Sequence, residues 1–167
     1  MQLKHRPVLA LPKTALEKTL DILSLLLIVG IVVYLSMEWS GLPDQIPIHF
    51  NAAGEADGWG GKGFLWFMPA VACLLWAGST ILEKFPHIYN YTNLTEANVE
   101  RQYKNARLML VALKAELTFF LVYYQWQGIR LAQGYDAGLG VWDLPLFLTV
   151  ILGSLTLFII RSIRLKR

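Results

Sequence analysis

The chain has 167 residues, enough for one domain, and 55% of them are apolar while only 16% are charged. A water-soluble domain carries more charge and does not gather its apolar residues into uninterrupted runs, so the surplus points to lipid. The single cysteine, Cys73, lies inside an apolar run, which excludes a disulfide framework and a cysteine-type metal site; the net charge of +3 says less than where the charges fall.

Residues 1–19 are polar and basic (Lys4, Arg6, Lys13, Lys18), and Pro7 and Pro12 oppose a long helix there. The first apolar run, 20–37, is longer than a signal-peptide core. Tyr34, Met37, Glu38 and Trp39 occupy the place of a cleavage site, so the run reads as a retained membrane helix. The second span, 64–82, is uncharged, with Pro69 in its first turns. A polar loop, 83–107, follows, in which Thr95 is the expected cap of a short helix running on through Glu100, Arg101 and Lys104. The third span, 108–127, is the least apolar because it holds Lys114, Glu116, Thr118 and Gln125. After a glycine-rich connection comes the fourth span, 144–160, and then a basic tail, 161–167. The expected fold is an all-α integral membrane protein: four transmembrane helices with a structured extracytoplasmic loop, 38–63, between the first two.

That loop is dense in residues that fix backbone shape. Pro43 and Pro47 bias the chain toward extended conformations, so residues 46–50 read as a short extended piece. Gly54, Gly58, Gly60, Gly61 and Gly63, with Asn51 and Asp57, read as turn residues that let the chain fold back, so that Phe50, Trp59 and Phe64 are expected to be buried at the outer ends of the spans.

Orientation follows from lysine and arginine placement. The N-terminal segment, the loop after the second span and the tail hold four each, whereas the loop 38–63 holds only Lys62 and the last loop only Arg130. These two sparse loops carry Glu38, Asp44, Glu55, Asp57, Asp136 and Asp143 instead. Both termini are therefore expected in the cytoplasm of a bacterial inner membrane. Tyr34, Trp39, Trp59, Trp66, Tyr123, Tyr124, Trp126 and Trp142 gather at the outer side, the interfacial depth that amphipathic rings prefer.

Two groups of residues offer chemistry. In the outer loop, His49, Asn51, Glu55, Asp57, Trp59 and Lys62 form a candidate ligand-binding set. A lone histidine with scattered carboxylates lacks the spacing of a zinc site and the calcium-loop pattern is absent, so no metal or cofactor is expected. The bland alternative is that Asn51 and Asp57 bond their own turns. In the spans, Glu116 stands about 13 Å beyond Arg107 at the helical rise, near mid-membrane, and is expected to be protonated or paired. Asp21, in the first turn of span one, is the expected partner of Lys114. A structural ion pair is the preferred reading there, and a proton or ligand path the alternative. No nucleophile motif, phosphate loop or dinucleotide fingerprint is present, so no enzyme is expected, and the basic tail is explained by topology and anionic lipid without nucleic acid.

Leu42, Pro43, Ile46, Pro47, His49, Phe50, Asn51, Gly54, Asp57, Trp59 and Lys62, at their spacing, resemble a bacterial membrane domain of unknown function that also forms the N-terminal part of SdpI-type immunity proteins. Tyr91, Asn93, Thr95, Glu96, Asn98, Gln102 and Tyr103 are similar to segments of short stand-alone members. The resemblance implies a non-enzymatic protein that senses or neutralises an extracytoplasmic agent through residues 42–62, with a secreted peptide or another membrane protein as partner. With four expected spans the chain departs from the full-length immunity proteins, for which the resemblance implies additional helices. A small transporter or proton-coupled carrier using Glu116 and Lys114 is the alternative class.

Overall fold

The computed structural model describes residues 5–51, 53, 55–135 and 140–165. Gly54, Asp136 and the last two basic residues of the tail lie outside them, as does Lys4. The chain is mostly helical: α1 (Ala15–Glu38), α2 (Phe67–Leu82), α3 (Val99–Ala132) and α4 (Asp143–Arg164), with a β-hairpin of β1 (Gln45–Phe50) and β2 (Ala56–Gly61) between α1 and α2. Among the described residues three stretches, Ala15–Gly41, Lys62–Leu82 and Asp143–Arg164, are long and apolar enough to cross a membrane.

Helix α1 starts before the apolar run because Thr14 and Glu17 form a reciprocal capping box, each side chain bonding the other's backbone amide. Helix α3 is the axis, packed against α1, α2 and α4. Its 34 residues extend about 51 Å at the helical rise, longer than a bilayer core is thick. It begins at Val99, and Thr95 is not its cap. Instead the Asn98 side chain folds back, accepting from the Thr95 amide and donating to the Asn93 carbonyl, so the expected short helix and the third apolar run are one element. The helix stops where Gly134 takes φ +84° and the Tyr135 amide reaches the Arg130 carbonyl, a conformation glycine adopts without a Cβ penalty.

The all-α expectation needs correcting at the loop. The extended piece at 46–50 is β1, as its prolines dictate, but the glycine-rich stretch after it is a paired strand. Glycine is poor in strands by propensity. Here a neighbour requires it: a Cβ on Gly58 would lie 2.9 Å from His49 Cβ, and one on Gly60 2.8 Å from Ile48 Cδ1. Gly60 thus faces Ile48, and strand alternation turns Trp59 to the opposite face.

The hairpin sits on a core of Ile31, Leu35, Leu42, Ile46, Leu65 and Ile129, drawn from α1, β1, α3 and the flanking turns. A second core, Leu94, Val99 and Tyr103, is covered by Leu9 and Leu11 of the N-terminal segment and by Tyr91.

Gly58→Ala is expected to cost about 1–3 kcal/mol through overpacking against His49 Cβ, whereas Gly63→Ala, with open space around it, should be neutral. Thermal unfolding in detergent measures both; equal effects would mean that cross-strand crowding does not set the glycine pattern.

Candidate functional site

The hairpin brings the outer-loop candidates together in pairs. His49 Nδ1 meets Asp57 Oδ1 at 2.5 Å across the two strands, and both side chains are open to the surroundings. Asn51 Oδ1 accepts from the Ala53 and Glu55 amides at 2.9 and 3.0 Å, and its Nδ2 donates to Glu55 Oε2 at 2.9 Å. Asn51 therefore holds the turn, while His49 and Asp57 form the accessible polar pair. Lys62 turns back toward the bundle, donating to the Leu42 carbonyl, lying 3.4 Å from Asp44 Oδ1 and resting over the Trp39 ring.

Trp59, expected to anchor the loop by burial with Phe50 and Phe64, is 63% exposed, and Phe64 is 44% exposed. Burial falls instead on Leu42, Ile46 and Leu65. The alternation explains the exchange: Ile46 lies on the face of Gly60 and Ile48, toward the bundle, and Trp59 on the other.

The second polar region joins the start of α1 and the end of α2 to the middle of α3. Lys114, fully enclosed, donates to Asp21 Oδ1 at 2.6 Å, Glu83 Oε1 at 2.5 Å and Thr80 Oγ1 at 3.0 Å. Lys13 bonds both carboxylates from the other side, reaching Asp21 Oδ2 at 2.5 Å and also Glu83. Two cations thus meet two anions. Burial draws the Lys13 ammonium down, but its bonds to Asp21 and Glu83, with their charges, more than offset this and hold its pKa above the ordinary lysine value.

Beside it, Arg107 Nε meets Glu17 Oε1 at 2.8 Å, with both side chains buried. Arg107 also donates to the Leu11 and Pro12 carbonyls at 2.6 and 2.9 Å. The N-terminal segment is thereby clamped over this end of the bundle, and Arg6 extends the clamp to the Tyr89 carbonyl at 2.5 Å. Tyr89 donates to the Leu82 carbonyl. Burial, with the Glu83 charge, pushes its hydroxyl up to about 12, although Arg107 pulls the other way.

The Asp21–Lys114 pairing is as expected. Glu83, Lys13 and the Glu17–Arg107 pair are not in the sequence reading. The Thr14-x-x-Glu17 capping signature was available for Glu17; Glu83 carries only its position at the end of an apolar run. Glu116 stands apart from Lys114, accepting from Ser154 Oγ of α4 at 2.5 Å. Among the described residues no group of three or more histidine, cysteine, aspartate or glutamate side chains is placed to hold a metal ion.

Residues 22–73 match a family described as a domain of unknown function (DUF1648), which covers most of α1, the hairpin and the start of α2. An uncharacterised protein of Archaeoglobus fulgidus is 30% identical over 103 residues, covering 54% of this chain and 56% of that protein. The chain thus spans about half the length of the curated relative it matches. No solved structure matches it.

Removing the Lys114 charge leaves Asp21 and Glu83 facing each other with Lys13 alone. Lys114→Met is expected to destabilise by about 3–5 kcal/mol, and Trp59→Ala to change stability by less than about 0.5 kcal/mol. Unfolding of both variants in the same detergent checks this; a larger loss from Trp59→Ala would restore that ring as an anchor.

Proposed function

We propose that this is a four-span, non-enzymatic membrane protein that senses or neutralises an extracytoplasmic agent at the hairpin. Three helices have the length and apolarity to span. Helix α3 is the fourth span, its polar residues shielded by the three apolar helices packed around it. The arginine and lysine distribution supports a cytoplasmic position for both termini and an outer one for the hairpin.

The observation that carries the functional reading is the exposed His49–Asp57 pair beside exposed Trp59, on a ribbon whose own core needs none of the three. Polar and aromatic groups that a scaffold leaves at its surface are the usual material of recognition. The carrier alternative is weakened because Lys114 is fully enclosed and spent on three partners. Immunity to, or signalling of, a secreted peptide is the activity this arrangement suits.

Orientation is tested in a Cys73→Ser background: an impermeant thiol reagent should label Asp44→Cys in intact cells and Glu96→Cys only after permeabilisation. The opposite pattern would move the hairpin inside and end the proposal. For function, a deletion strain is complemented with variants and challenged with secreted peptides. His49→Ala combined with Asp57→Ala should lose protection or response at an unchanged protein level, and Glu116→Gln should retain it. Loss with Glu116→Gln alone would favour the carrier.

A further inference from the structure

Among the described residues the hairpin has one edge left open, and the register says which groups stand on it. The Lys62 amide donates to the Asp44 carbonyl at 3.0 Å, and the Asn51 amide to the Glu55 carbonyl at 2.9 Å. In an antiparallel ladder those bonds make Gln45↔Gly61 and Phe50↔Ala56 non-hydrogen-bonded pairs, and counting two residues on from Gln45 makes Pro47↔Trp59 another. Residues in such pairs direct their amides and carbonyls away from each other, toward the two outer edges. On the β1 edge Pro47 has no amide to offer, and that strand packs against α3 and the turn before α2. On the β2 edge stand the Trp59 amide and carbonyl and the Gly61 amide.

The surroundings of this edge are acidic. Asp44, Glu55 and Asp57 belong to or flank the hairpin's strands, and the loop's one lysine, Lys62, is turned back onto Leu42, Asp44 and Trp39. Asp44 is 94% exposed beside the Gly61 end of the edge, and Asp57 is exposed at the other.

We infer that the free edge of β2, at Trp59 and Gly61, accepts an extended cationic peptide as a third strand. The inference rests on the proposed outward placement of the hairpin and adds to it the partner's conformation and charge. Strand addition draws affinity from main-chain bonds, and a two-stranded ribbon gains stability from a third strand. The acidic rim selects the sign of the incoming side chains.

Gly61 makes the edge testable. Its φ of −65° and ψ of 145° suit proline, and a Cβ there meets only the Asp44 carbonyl, at 4.0 Å. Gly61→Pro therefore removes the outward amide without straining the fold, and Gly61→Ala keeps it. The probe is a fluorescent ten-residue peptide of alternating lysine and valine, titrated onto the full chain in phosphatidylcholine nanodiscs and read by anisotropy against empty discs. Its valine-N-methylated form removes the bonds from the peptide side, and a glutamate–valine peptide reverses the charge.

The expected result is binding by wild type and Gly61→Ala, weakened about tenfold or more by Gly61→Pro, by N-methylation and by charge reversal. Binding that ignores both Gly61→Pro and N-methylation would overturn strand addition, as would equal binding of the acidic peptide. Absence of binding to protein-loaded discs would overturn it too. None of these outcomes touches the orientation of the hairpin, which the thiol-labelling pattern decides separately.

Discussion

The contact on which the rest of the structure depends is the enclosed ammonium of Lys114. An unpaired charge enclosed away from water costs several kcal/mol. Here Asp21 of α1 and Glu83 at the end of α2 surround it, so one side chain of α3 fixes the relative height of three helices. Two carboxylates against one ammonium would leave a net negative charge, which Lys13 removes from the N-terminal side. Helices in lipid gain little from apolar contact with one another, so a closed set of charges is an effective way to specify register. The same reasoning extends to Arg107, whose guanidinium bonds both Glu17 and two carbonyls of the incoming chain.

Helix α4 follows a different rule. None of its described residues is buried, and besides one edge-on ring pair, Phe120–Phe147, it is tied to α3 by polar groups. Gln102 and Ser162 exchange two bonds, Asn105 donates to the Phe158 carbonyl, and Glu116 accepts from Ser154. Glu116 thus belongs to the seam between α3 and α4 while Lys114, two residues earlier, belongs to the seam with α1 and α2. The helical turn separates them, which is why two opposite charges so close in sequence do not pair.

Some of this was legible in the residues. The extended piece at Ile46-Pro47-Ile48 followed from proline geometry, and Asp21 was matched to Lys114 because both fall in the same half of their runs. Other parts were not. Glu83 and Lys13 join the charge set from segments that hydropathy assigns to loops, and only three-dimensional packing brings them together. The strand at Ala56–Gly61 runs against propensity, since its glycines answer to Ile48 and His49 on the partner strand and not to their own neighbours. Trp59 was misplaced for the same reason: without the pairing register, a large apolar ring is assigned to the core, and the register turns it outward.

The two ends of the molecule are therefore built to different tolerances. One is closed by charges whose every partner is spoken for, with the N-terminal segment strapped across it. The other carries a two-stranded ribbon, a unit that is marginal by itself and held here by Leu42, Ile46 and Leu65 beneath one face. Its opposite face and one edge remain without such support. A bundle locked at one end by ion pairs can hold a marginal ribbon in place while its outer groups stay clear of the core. Those groups, His49, Asp57, Trp59 and the amide of Gly61, are where the proposed third strand would add most to the ribbon.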